Sequence, residues 1–95
     1  MDYTKASLKN IKANAKALGV EVKPSSRKNK KFDVYDKDGK YITSIGDSRY
    51  KDYHLYKQKN KEKAEERRRL YKIRHDKHRH EKNTASYYAD KILWN

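Results

Sequence analysis

Cysteine is absent from this 95-residue chain. Its absence excludes disulfides, thiolate zinc sites and iron–sulfur clusters, and it fits a reducing compartment. Proline occurs once, at Pro24, and glycine three times, at Gly19, Gly39 and Gly46. Three scattered glycines cannot build a phosphate-cradling glycine loop. Apolar residues are few: one Phe, one Trp, one Met, and 34% hydrophobic residues in all. No apolar run is long enough to span a bilayer, so membrane insertion is not expected. The opening residues MDYTKASLKN lack the apolar core of a secretory signal. The basic segments also lack the apolar face of an interfacial helix.

What is present is charge of one sign, and tyrosine. Lys and Arg number 26 against 13 Asp and Glu, a net charge of +13, and there are nine tyrosines. Self-repulsion on that scale opposes compaction unless something acidic answers it: nucleic acid, an anionic surface or an acidic protein. With Leu, Ile, Val and Phe scarce, tyrosine has to supply contact area, and its ring and hydroxyl suit an interface as well as a core. The length allows one domain at most, with a small core and part of the chain ordered only against a partner.

The spacing of Leu8, Ile11, Ala15 and Leu18 predicts a helix over about residues 5–18, capped by Thr4 or Ser7 and stopped at Gly19. Its stripe is narrow, so it reads either as a domain helix or as an arm that packs on a neighbouring protein. A structure-poor basic connector follows, with five cations and no acid from Lys23 to Lys31. The halves KFDVY and KYITSI around an Asp-Gly turn predict a β-hairpin. Tyr50, Tyr53 and Tyr56 lie in an irregular or short helical piece and are expected to cover that hairpin.

Residues 58–80 carry the strongest helix signal, with no Gly or Pro. Lys61–Glu65 and Glu65–Arg69 are opposite charges four apart, each worth about 0.3 kcal/mol. Ala85, Tyr88, Ala89, Ile92 and Leu93 predict a last short helix capped at Asn83 or Thr84, and Trp94 closes the segment. The expected fold class is small α+β: an N-terminal helical arm (1–22), a basic linker (23–31), and a domain (32–95) of β-hairpin, long charged helix and short C-terminal helix.

No catalytic constellation is legible, and an enzyme is the weakest class. Asp36-Lys37-Asp38-Gly39 fails as a calcium loop, because it would put Val34 and Ile45 at liganding positions. His75, His78 and His80 cluster without the spacing or the further ligands of a zinc site. Hydrogen bonding in a buried site for His75, and solvent or phosphate contact for the others, are the readings preferred. No cofactor and no metal are expected.

Several short motifs occur in order. They are Lys30-Lys31-Phe32, Ile45-Gly46, Tyr50-Lys51-Asp52-Tyr53 with Lys57, and Arg68 and Leu70-Tyr71 followed by Arg74-His75. Glu81-Lys82-Asn83, Thr84-Ala85 and Leu93-Trp94-Asn95 complete the set. Over residues 28–95 the chain thereby resembles a family of small basic proteins encoded by large double-stranded DNA viruses and some phages. It departs from that pattern at Ser86-Tyr87-Tyr88, where some members of the family carry Gly, Phe or Tyr, and Trp. It departs again at Asp76, where some carry cysteine, which removes any metal argument that would hold for them. The resemblance implies a minor structural, capsid-associated protein of the virion, present in host cytoplasm or nucleus during assembly. Its partners would be major capsid protein or other virion proteins, with packaged double-stranded DNA contacted non-specifically.

Two readings follow. In the first, the chain binds the shell and turns a basic face toward packaged DNA or acidic shell patches. In the second, it is a free nucleic-acid-binding protein without sequence preference, since no base-reading module is present. Regulation of a host protein is a third, lesser reading. Contacts to nucleic acid or an acidic partner are expected at Lys23, Arg27, Lys28, Lys30, Lys31, Arg67, Arg68, Arg69 and Arg74. Arginine suits phosphate because its planar fork matches two oxygens. Protein contacts are expected at Leu8, Ile11, Leu18, Tyr87, Tyr88 and Trp94.

Overall fold

Helix α1 spans Lys5–Ala17. The Thr4 hydroxyl accepts from the Ser7 amide at its start, and Gly19 adopts φ +75° after its end, where a side chain would be strained. In the computed structural model, which describes residues 2–95, this helix leads straight into a strand. Strands β1 (Glu21–Pro24), β2 (Lys30–Tyr35) and β3 (Tyr41–Asp47) form an antiparallel sheet in that order. The single proline ends an edge strand, where a missing amide does least harm. Asn29 at φ +63° turns the chain from β1 into β2. Gly39 at φ +83° turns it from β2 into β3, where the Asp36 carboxylate accepts from the amides of Asp38 and Lys40.

Sheet register puts Val22 beside Val34 and Phe32 beside Ile45 on one face. α1 and helix α4 (Ala85–Ile92) cover that face. Ile11, Val34, Ile45, Ile92 and Leu93 are all but inaccessible there, each worth roughly 1.5–3 kcal/mol of burial. On the other face Asp33 pairs with Ser44, whose hydroxyl bonds the Asp33 carboxylate at 2.6 Å and the Tyr41 hydroxyl at 2.8 Å. Pairing passes from Val34–Thr43 to Tyr35–Tyr41 and leaves Ile42 unpaired. This bulge brings Tyr41 to the face of Tyr35, and the two rings meet edge to face.

Helices α2 (Tyr53–Lys57) and α3 (Lys61–Arg74) form a hairpin capped at Asp52 and Asn60. α3 buries only Ala64 and Tyr71. Its tie to the rest runs through side chains: Tyr71 stacks on Trp94 with centroids 4.3 Å apart, and Lys72 reaches Asp90.

The small α+β class is as expected, while several details are corrected. The N-terminal segment is not a separate arm, because Ile11 and Ala15 sit in the core with Leu8 and Leu18 packed against it. The connector after it is part strand: β1 supplies Val20 and Val22 to the core, so the hairpin has a third strand. The long helix is shorter than residues 58–80. It stops at His75, and residues beyond fold into turns held by Asp76 with Arg79 and His80. Tyr53 and Tyr56 face α3 rather than the hairpin, and Tyr50 is exposed. The Cα radius of gyration is 12.5 Å, against about 12 Å for a compact chain of this length. The excess charge therefore rides on a closed core instead of preventing one.

Candidate polyanion-binding surface

Acidic side chains number thirteen, and the fold sets five of them against particular cations. Asp52 caps α2 by accepting from the Leu55 amide at 3.0 Å. The same carboxylate takes Lys31 Nζ at 2.9 Å and the Tyr3 hydroxyl, and burial together with the Asp52 charge pushes the Tyr3 phenol far up. Asp90, fully buried, takes Lys72 Nζ at 2.8 Å, while Lys91 at 3.4 Å and Arg79 at 3.6 Å face its other oxygen. Burial alone would raise the Asp90 pKa, but Lys72 and Lys91 outweigh it and hold the carboxyl low. Glu65 accepts from Tyr53 at 2.9 Å and from Arg68, and the Tyr53 bond leads in lowering its pKa. Asp47 grips Arg49 through two oxygens, which pulls its pKa down to about 2. Among the described residues, ion pairs thus engage Lys31, Arg49, Arg68, Lys72, Arg79 and Lys91, and the other Lys and Arg side chains have no carboxylate partner.

The predicted contact residues divide accordingly. Lys31 is withdrawn, because its amine is buried against Asp52. Arg68 is occupied by Glu65 and lies over the Tyr53 ring at 4.5 Å. Arg67, Arg69 and Arg74 are exposed and unpaired on α3. Lys23, Arg27, Lys28 and Lys30 are exposed near the sheet, where Lys23 approaches the Tyr35 ring and Arg27 donates to the Tyr41 hydroxyl at 2.7 Å. The predicted cations that stay unpaired thus fall on two elements, β1 with its turn into β2, and α3, while further unpaired lysines lie elsewhere, as on α1. The predicted protein-contact residues are used internally. Ile11 and Tyr88 are buried, and Leu8, Leu18, Tyr87 and Trp94 pack half-buried against the core.

Sequence reasoning missed the polar residues that hold the fold. His54 is buried, with Nε2 3.2 Å from the Ile92 carbonyl. That bond requires Nε2 to donate, and Nδ1, an acceptor in the neutral ring, has no partner. Burial pulls the His54 pKa below its usual value. The Tyr71 ring lies between Trp94 and the His75 ring at 4.2 Å, since two rings so close and near parallel cannot share one face. His75 is therefore a stacking residue, not the hydrogen-bonding one expected, and burial followed by the Arg74 charge lowers its pKa. Several residues of the short motifs, distant in sequence, meet inside this fold. Gly46 touches Leu93 and Lys31, Lys31 meets Asp52, and Tyr71 meets Trp94 and His75.

The chain matches no protein-family model, no curated protein and no solved structure. Among the described residues no group of three or more His, Cys, Asp or Glu side chains is placed to hold a metal ion, and no helix is long and apolar enough to cross a membrane.

Proposed function

We propose that this chain is a non-enzymatic, polyanion-binding structural protein. In the setting that the resemblance implies, it is a minor capsid-associated protein of a double-stranded DNA virus or phage. The observation that carries the polyanion part is the division of its cations. Five of the thirteen acids pair with six of the cations, and the exposed Lys and Arg near the sheet and along α3 have no carboxylate partner. Such a surface attracts phosphate backbones through counterion release and reads no bases. The particle setting rests on the motif resemblance over residues 28–95, and major capsid protein is the partner it implies. Since Ile11 and Tyr88 are buried and Leu8, Leu18, Tyr87 and Trp94 pack half-buried on the core, the shell contact would run through charge and surface tyrosines such as Tyr50.

The test is binding to two unrelated 20-base-pair duplexes across a salt series, with quantitation of the chain against capsid protein in purified particles. Equal affinities that fall steeply with salt, and a fixed ratio to capsid protein, are expected. Feeble, salt-insensitive binding would refute the polyanion reading, and absence from particles would refute the setting. A free nucleic-acid-binding protein is the second reading. The unpaired Arg67, Arg69 and Arg74 favour it, and tight binding without particle association would establish it.

A further inference from the structure

The two flanks of α3 are unlike. One carries Glu65, Arg68 and Lys72, which are tied to one another's neighbours through ion pairs with Glu65 and Asp90. On the other flank Lys63 and Arg67 stand four residues apart, one helical turn, beside the C-terminal end of α2. There the Tyr56 ring centroid is 5.6 Å from the Arg67 guanidinium, 5.8 Å from Lys51 Nζ and 5.9 Å from Lys63 Nζ. None of these three cations has a carboxylate partner, and the Tyr56 hydroxyl makes no hydrogen bond among the described residues. Glu66, three residues beyond Lys63, forms no ion pair with them.

We propose that Lys51, Tyr56, Lys63 and Arg67 form a phosphodiester-binding site, the point at which a nucleic-acid backbone is gripped. The proposal rests on the polyanion reading and assigns it a place. Three cations gathered around one ring repel one another, and the ring's negative face offsets only part of that repulsion. A backbone phosphate would reverse the balance, because every group there is a hydrogen-bond donor: two ammonium groups, a guanidinium fork and a phenol. The ring is not a base-stacking platform, since cations already crowd it. Contact is therefore to phosphate, and sequence preference is absent. Arg74, seven residues beyond Arg67 and so two turns along the same flank, extends the track.

The experiment measures affinity for a fluorescent 20-base-pair duplex from 50 to 300 mM salt. It compares the intact chain with Lys63→Ala/Arg67→Ala, with Tyr56→Phe, and with a control of equal charge, Lys9→Ala/Lys12→Ala on α1. Circular dichroism checks that each variant is folded. The site variant should lose about tenfold or more in affinity, and its log–log salt slope should flatten by roughly 1.8, as for two lost phosphate contacts. Tyr56→Phe keeps the ring and should lose about fivefold through the missing hydroxyl. The control pair should stay within twofold. Equal losses in the site and control variants would mean that net charge alone binds DNA, which overturns the site and leaves the polyanion reading standing. No binding by the intact chain would overturn both. Tighter binding to phosphatidylserine vesicles than to the duplex, weakened by the same double variant, would overturn nucleic acid as the occupant.

Discussion

Substituting Asp52 by Asn removes one charge and keeps the side chain's size and its role as a helix cap, since Asn caps as well as Asp. The partner left behind is Lys31, whose side chain is only 6% exposed against 2% for Asp52. At 2.9 Å the gross attraction is about 6 kcal/mol for an effective dielectric of 20. Breaking a buried pair by removing one member costs about 3–5 kcal/mol, because the other charge stays desolvated. A chain of this length has about 5–14 kcal/mol in total, so Asp52→Asn should take about a fifth or more of it. The melting temperature should fall by roughly 15–30 °C. Asp52→Ala should cost about 1 kcal/mol more, through the lost cap to Leu55. Pairing Asp52→Asn with Lys31→Met removes both charges and should recover much of the loss, with a coupling of about 2–3 kcal/mol. Urea unfolding followed by circular dichroism and by the fluorescence of the single tryptophan measures all four states. A cost below about 0.5 kcal/mol for Asp52→Asn, or strict additivity in the double variant, would refute the claim that this ion pair is desolvated and structural.

Gly46→Ala should destabilise by about 2–4 kcal/mol, since φ is +77° and a Cβ would meet Leu93 and Lys31 side-chain carbons at 2.8 Å. Gly39→Ala, at φ +83° in open space, should cost only about 1 kcal/mol, and thermal melting separates the two. Trp94→Ala should cost about 2–3 kcal/mol, less than a fully buried ring, because Trp94 is half-buried and its main loss is the stack on Tyr71. Stability should also fall as pH drops from about 7 toward 5. His54 and His75 are held below the ordinary imidazole value, so in that window the unfolded chain takes up protons that the folded one refuses. His54→Gln should flatten this dependence in urea titrations at pH 7.5 and 5.5. A second loss should follow below about pH 4 as Asp33, Glu65 and Asp90, all held low when folded, are protonated.

The sequence by itself determined where elements begin and end whenever a short-range rule decides the matter. Thr4, Thr84 and the Asp-Gly turn act within four residues; the turn stands where the pattern put it, and each cap is one of the two candidates the pattern offered. It also determined the sign and amount of charge. Tertiary structure alone decided which charges remain available. Lys31 and Arg67 look alike in a basic run, yet one is buried against an aspartate 21 residues away and the other is exposed beside Tyr56. The N-terminal helix is a similar case. A narrow apolar stripe fits a loose arm or a core helix equally well, and only the presence of Val22, Ile45 and Ile92 around Ile11 settles it. The end of α3 at His75 was hidden for the same reason, because helix-forming residues continue past it while the anchors at Trp94 and Asp90 do not. Pairing between distant residues depends on where the chain returns in space, and no local pattern records that.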